Sequence, residues 1–179
     1  MGLSAPYGAS PPSDMFLFSA VNSEIAFEQA HPSDASALAD LRVLAMQPSL
    51  EAIGRFDLDR ARNRFLSTYV SSDTWHIIWN GDKVGLVVLR VSPKEYVLDH
   101  FYLRPEFQGK KIGSLVLDVI LGAAEREGIP VRVTALMGSR SNKFYVAHGF
   151  RLQAQEEWDN HYIWQVGNRS VNPRKSETF

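Results

Sequence analysis

RPEFQGKKIG, Arg104 to Gly113, joins a strand-like run, Tyr96 to Leu103, to an apolar stretch of helical spacing that begins near Ile112. Helix N-termini carry partial positive charge and favour acidic residues, yet this one opens on Lys110 and Lys111. Such a turn offers amide hydrogens that have no partner inside the helix, and Gly109 and Gly113 are expected to let the backbone bend sharply and come close to a ligand. Free amides, a helix dipole and flexible glycines form an anion cradle that suits phosphate. A bound pyrophosphate would turn the two lysines from a liability into an asset. The alternative is a plain strand-to-helix turn whose lysines are solvated. Neither G-x-x-x-x-G-K-[ST] nor G-x-G-x-x-G occurs, which argues against ATP and NAD.

The flanks of this turn extend the reading. The run Tyr96 to Leu103 places Leu98, His100 and Tyr102 on one face and Val97, Asp99, Phe101 and Leu103 on the other. It is largely apolar on both sides, as a central strand should be. Downstream, the spacing predicts a helix from about Ile112 to Glu127, a strand Val131 to Ala135, a short helix around Asn142 to Ala147, and strands near Phe150 to Gln155 and His161 to Val166. Upstream, Glu24 to Ala30 alternates as a strand, and a helix follows across HPSDASALADLRVLAM with Ser33 or Asp34 as its cap. A helical pair is expected after Pro48, at Ser49 to Ile53 and Leu58 to Tyr69. Trp75 to Trp79 and Val84 to Val91 read as a hairpin around NGD. Hairpins early and a strand-helix-strand unit late imply an α/β (α+β) fold, a mixed sheet with helices on both faces.

Composition sets the limits. The 179 residues suit one domain, and 45% hydrophobic with 22% charged residues is the balance of a globular protein. A formal net charge of −1 gives no overall attraction to nucleic acid or an anionic membrane, so any anion must be held locally. The absence of cysteine excludes disulfides, thiolate nucleophiles and cysteine zinc sites, and no metal is expected. No apolar run approaches the roughly 20 residues that span a bilayer, so a cytoplasmic protein is the expectation. Residues 1–22 read as a flexible, Gly/Pro/Ser-rich arm, with Met15 offering a second start, and residues 168–179 as a polar tail.

LDHFYLRPEFQGKKIGSLVL resembles the coenzyme A loop of the GNAT superfamily of acyl-CoA-dependent N-acyltransferases, whose signature is [QR]-x-x-G-x-[GA] after a central strand. Gln108, Gly109, Ile112 and Gly113 match, while Lys111 stands where the family usually has Gly. SNKFYVAHGF, Ser141 to Phe150, is similar to the family's Asn, Phe-Tyr, Gly-Phe segment, with Asn142 and Tyr145 on one helix face. The resemblance covers roughly Trp75 to Trp164 and implies a mostly antiparallel sheet of six to seven strands, with residues 23–167 as the acetyltransferase domain. It implies an N-acetyltransferase that moves an acetyl group from acetyl-CoA, as co-substrate, to a primary amine of a small molecule or peptide. The alternative is a non-catalytic acyl-CoA sensor of the same fold.

By this resemblance the backbone amides of Phe101 and Leu103, beside Tyr102, hold the pantetheine arm and thioester. Gln108, Gly109, Lys110, Lys111, Ile112, Gly113, Ser114, Asn142, Lys143 and Tyr145 are the further coenzyme-binding residues implied, with Lys110, Lys111, Arg140 and Lys143 as the cations able to meet its phosphates, unless they are simply solvated. Tyr145 is the expected proton donor to the departing thiolate. His100 and Asp99 are alternative bases, expected to point to opposite faces, and either is equally readable as a buried structural residue. The acceptor pocket is implied between GRFDLDR, Gly54 to Arg60, and EEWDNHYIW, Glu156 to Trp164, whose acidic and aromatic groups suit a cationic amine. A homodimer is a further expectation.

Overall fold

The computed structural model describes residues 24–167, and the expected arm and tail lie outside the described residues. A first strand β1 (Ile25–Gln29) leads through a 3-10 turn, Pro32–Asp34, into α1 (Ala35–Ala52), and α2 (Leu58–Leu66) follows. Then come β2 (Thr74–Trp79), β3 (Asp82–Val91), β4 (Tyr96–Leu103), α3 (Ile112–Glu127), β5 (Val131–Leu136), α4 (Arg140–Ala147), β6 (Arg151–Gln155) and β7 (Asp159–Trp164). The seven strands form one mixed sheet in the order β1-β2-β3-β4-β5-β7-β6. Among the described residues only β4 and β5 run parallel. The sheet is the mixed, mostly antiparallel one of six to seven strands that the sequence led us to expect.

Two cores, one on each face, hold the sheet between helices. Strand β3 shows why: Val87 and Leu89 enter the core under α3 with Ile112, Val116 and Ile120, while Leu86 and Val88 enter the core under α1 and α2 with Leu38 and Phe65. A strand with alternate residues buried in opposite directions must lie in the middle. The β2–β3 hairpin turns at Asn80 and Gly81, with φ of 51° and 89°, the pair of positive values that a two-residue hairpin turn requires. By contrast β6 is exposed along its whole length at the sheet edge.

Three local expectations are corrected. Helix α1 does not end before Pro48 but runs through it to Ala52. The carbonyl that loses its partner belongs to Leu44, and both residues are exposed, so water can serve it. Neither Ser33 nor Asp34 caps α1 through its side chain. Asp34 instead accepts from the His31 amide at 2.8 Å and lies 2.9 Å from His76 Nε2, pinning the helix entry to β2. Gly113 has an ordinary helical backbone rather than a bend, and a Cβ there would touch the Phe144 ring at 3.4 Å. Its small size matters for α3–α4 spacing, not for turning the chain.

Candidate active site

The site begins with an irregularity in β4. Val88 pairs with His100 but the next residue, Leu89, pairs with Leu98, which leaves Asp99 as an extra residue bulging from β4. A bulge reverses the alternation of everything after it. Tyr96 and Leu98 face α3, and beyond the bulge Phe101 and Leu103 take over that face. His100 and Tyr102 turn toward Phe65, Leu38 and α1. The expected grouping of Leu98 with His100 and Tyr102 is therefore wrong. So is the expectation that Asp99 and His100 oppose each other: both lie on the α1/α2 side.

The backbone switches in step. Tyr96 N–H donates to Pro130 O at 2.9 Å, on the β5 side. Strict alternation would put Leu98, His100 and Tyr102 there as well. Instead Arg104 N–H donates to Val84 O at 2.9 Å, and the Tyr102 carbonyl crowds Gly85, so those groups face β3. Phe101 and Leu103 therefore aim their peptide groups away from β3. That edge is open, because β4 and β5 pair only through Leu98 and Val133 before parting. The bulge thus presents two amide donors to the gap between the parallel strands, the pair expected to hold the thioester arm.

The connection from β4 to α3 has the expected cradle. A 3-10 turn, Pro105–Phe107, is followed by Gln108, whose Nε2 donates to Leu103 O at 3.0 Å and ties the loop to the strand end. The Gln108 side chain is thus engaged by the protein itself. Gly109 and Lys111 have φ of 76° and 64°. Lys111 does occupy the left-handed conformation that glycine favours, as N-cap of α3, and no side chain caps that helix. Among the described residues the amides from Gly109 to Ser114 find no protein acceptor. Ile112 anchors the helix, fully buried, leaving its amide for the loop. The Lys110 Nζ lies 5.2 Å from the Phe107 ring centroid and 5.7 Å from that of Trp79. Lys143 is exposed on α4.

On α4, Tyr145 is packed among Phe144, Phe150 and Tyr162, with ring centroids 5.4, 5.4 and 6.4 Å away. Burial pushes its phenol well above the usual range, and nearby Tyr102 adds to the shift. It stays protonated at any working pH. Asn142 has a structural job: Nδ2 donates to Leu136 O at 2.8 Å and Ser139 O at 2.9 Å, and Oδ1 accepts from Asn160 Nδ2 at 2.8 Å and Tyr162 OH at 3.0 Å. With its amide so used, Asn142 positions α4 against β5 and β7 and has little left for a coenzyme.

Of the two candidate bases, one is held by an ion pair and the other is buried. Asp99 accepts from Arg90 Nε at 3.1 Å and Nη2 at 2.9 Å, and Arg90 also reaches Asp73 at 3.4 Å. His100 is 9% exposed, its ring 5.2 Å from Phe65, and its Nδ1 meets no protein partner. Burial lowers its pKa to about 4, against an opposing pull from Asp99. It is neutral, but as a base it is badly matched to an ammonium of pKa about 10.4.

A cleft that the sequence reading missed lies beside the bulge. It measures about 320 Å³ and is lined by Asp99, Arg132, Thr134, Glu156 and His161 among others. His161 Nδ1 is 3.0 Å from Thr134 Oγ1, and Nε2 is 3.3 Å from Glu156 Oε1, near but poorly aligned for a hydrogen bond. Alternation was the available signal: Arg132 and Thr134 flank buried Val133, and His161 precedes buried Tyr162. Their polar face therefore looks away from α3. Among the described residues no group of three or more His, Asp or Glu side chains is arranged to hold a metal.

Residues 71–152 match the family model described as the acetyltransferase (GNAT) domain. No protein of curated function matches the sequence. Among solved structures, the fold is similar to the PaiA N-acetyltransferase from Thermoplasma acidophilum in complex with coenzyme A, with a TM-score of 0.66 at 16% identity over 79% of this chain and 99% of that one. An acetyltransferase from Thermus thermophilus follows with 0.62 at 17%, over 80% and 97%. Ard1 from Thermoplasma volcanium gives 0.57 at 18%, over 80% and 98%. The parted parallel strands, the uncapped helix beside them and the family match define an acyltransferase. Residues 71–152 are thus similar to a GNAT acetyltransferase domain, and the fold around them is of the same type as those solved acetyltransferases.

Proposed function

We propose that the protein transfers the acetyl group of acetyl-CoA to a primary amine, in a single ternary complex. The observation that carries this reading is the bulge at Asp99, which aims the Phe101 and Leu103 amides into the β4–β5 gap beside the free amides of Gly109 to Ser114. Coenzyme A bound to the Thermoplasma acidophilum relative supports the choice of donor. In this scheme the loop amides hold the pyrophosphate. Lys111, already strained into position, lies beside it. The Phe101 and Leu103 amides grip the pantetheine arm and polarise the thioester carbonyl, donors that need no reorganisation as charge develops there.

The reaction joins the amine nitrogen to the acetyl carbon and breaks the carbon–sulfur bond. The nitrogen's proton leaves to water in the polar cleft, since Asp99 is held by Arg90 and buried His100 is too weak a base to keep it. Tyr145 supplies a proton to the departing sulfur. A thiol's pKa of about 8.5 lies far below that of the buried phenol, so donation is useful only as the thiolate forms and is reversed through solvent. Thiol release from acetyl-CoA, followed with a disulfide dye across a panel of amines, tests the reading. Acetyl-CoA should also raise the melting temperature, whereas ATP and NAD should not. A protein indifferent to acetyl-CoA in both assays would refute it.

A further inference from the structure

Trp158 stands in the turn between β6 and β7, 37% exposed, and the guanidinium carbon of Arg55 lies 4.3 Å from its ring centroid. This is the tightest of the cation–ring contacts described, the others lying at 5.2 to 5.8 Å. Arg55 comes from the loop between α1 and α2, directly after Gly54 with its φ of 67°. Among the described residues its guanidinium makes no ion pair, although Glu156, Glu157 and Asp159 flank the tryptophan in sequence. An aromatic face, rather than a carboxylate, holds this cation.

The two partners differ in how firmly they are fixed. The turn bearing Trp158 is pinned: its own carbonyl accepts from Met137 N–H at 2.7 Å, and Glu156 N–H donates to Asp159 O at 2.8 Å. Arg55 reaches over on a long side chain from an exposed loop position. Glu156, in the same turn, also lines the cleft that runs along β5 and β7 to Asp99 at the bulge. The ring is thus a cation-accepting face on a pinned turn, and the same turn reaches the cleft through Glu156, with Asp99 at the bulge also lining that cleft.

We propose that the face of Trp158 is a cation subsite for the acceptor, filled in the resting protein by Arg55, and that the acceptor is a small molecule bearing a second positive group besides its reacting amine. The inference rests on the acyl-transfer reading above. The acceptor's cation replaces the guanidinium on the ring, and Glu156 adds attraction from the cleft wall. A monoamine has nothing to put in Arg55's place. It therefore either leaves the stack closed or breaks it without return. A cation on an indole face is worth roughly 3- to 30-fold in binding, which sets the expected preference.

The test has one arm that needs no turnover. The full chain is titrated with a ladder of α,ω-diamines and with the matching monoamines, following the Trp158 indole N–H resonance assigned by its loss in Trp158→Phe. Diamines should shift it saturably, monoamines should not, and Arg55→Gln should tighten diamine binding. In the second arm, acetyl-CoA turnover gives the diamine-to-monoamine ratio of kcat/KM, which should fall toward one in Trp158→Leu. A Trp158 resonance blind to every diamine, or a ratio that survives Trp158→Leu, overturns the subsite. Diamine binding at Trp158 with no acyl transfer to any amine would instead remove the acyl-transfer reading and leave the subsite standing.

Discussion

A single methyl group at Gly85 tests how the thioester-gripping edge of β4 is held. Gly85 pairs with Leu103 across the β3–β4 ladder. A Cβ built there stands 3.2 Å from Leu103 Cα, 2.8 Å from Leu103 Cδ2, and closer still to the Tyr102 carbonyl oxygen. The leucine methyl can rotate away but the carbonyl cannot. Carbon and oxygen normally approach to about 3.3–3.6 Å at closest, so β4 must retreat by on the order of an ångström. Overpacking of this kind costs roughly 1–3 kcal/mol, and a backbone neighbour argues for the upper end. Losing glycine's freedom in the unfolded chain returns about 0.4–1 kcal/mol. Gly85→Ala should therefore destabilise by about 2 kcal/mol and lower the melting temperature by roughly 4–8 °C. The Phe101 and Leu103 amides lie on the opposite edge of the same strand and move with it, and an ångström of misplacement costs on the order of 100-fold in rate. Urea unfolding gives the first quantity, and kcat/KM for acetyl-CoA, measured well below the melt, gives the second. Leu38→Ala, in the core under α1, serves as a control of similar instability that leaves β4 in place. Stability unchanged within about 0.5 kcal/mol would refute the close approach. A loss of kcat/KM no larger than the control's would refute the role of the β4 edge.

Three further outcomes follow from the site. Lys111→Gly relieves a left-handed backbone and should raise stability by about 0.5–1 kcal/mol, read as a higher urea midpoint, while acetyl-CoA affinity falls if the ammonium meets a phosphate. Tyr145→Phe keeps the ring packing and should bind acetyl-CoA as before but lose kcat by about 100-fold or more; an unchanged kcat would remove the tyrosine from the chemistry. His100 has a folded-state pKa lowered from 6.5 to about 4. The unfolded chain therefore binds its proton first as pH falls, and stability drops between those two values, by about 2 kcal/mol at pH 5. His100→Gln should flatten that limb of the stability–pH curve, and a limb unaltered by the substitution would mean the ring is solvated after all.

Much of this architecture was legible, and the exceptions share a physical cause. The strand Tyr96–Leu103 and the helix Ile112–Glu127 begin and end where the sequence placed them, because hydrophobic period and stop signals are local. The left-handed backbone at Lys111 could be anticipated from the glycine expected there. Helix α1 ran through Pro48 because the tertiary packing of Leu38, Ala39 and Val43 outweighs one missing hydrogen bond on the solvent side. The partners that Asn142 finds on β7 and that Arg55 finds at Trp158 were not legible, since each is distant in sequence, and the Arg90–Asp99 pair depends on the bulge that turns Asp99.

The bulge at Asp99 shows the limit most clearly. Residues 96–103 are apolar enough on both faces that either register buries an acceptable set of side chains, so composition cannot choose between them. The choice is made by the neighbours. Gly85 admits the Tyr102 carbonyl only if that group faces β3, and Arg90 neutralises the carboxylate that the bulge sends to the α1/α2 side. With an alternating strand, the donors at the parted edge would belong to His100 and Tyr102. Leu103 would then turn its carbonyl toward β3 and lose Gln108, the bond that ties the phosphate loop to the strand end. The extra residue thus aligns the loop amides with the strand amides along one open edge, and an acyl donor with an anionic head and an extended arm is the ligand that such an edge accommodates.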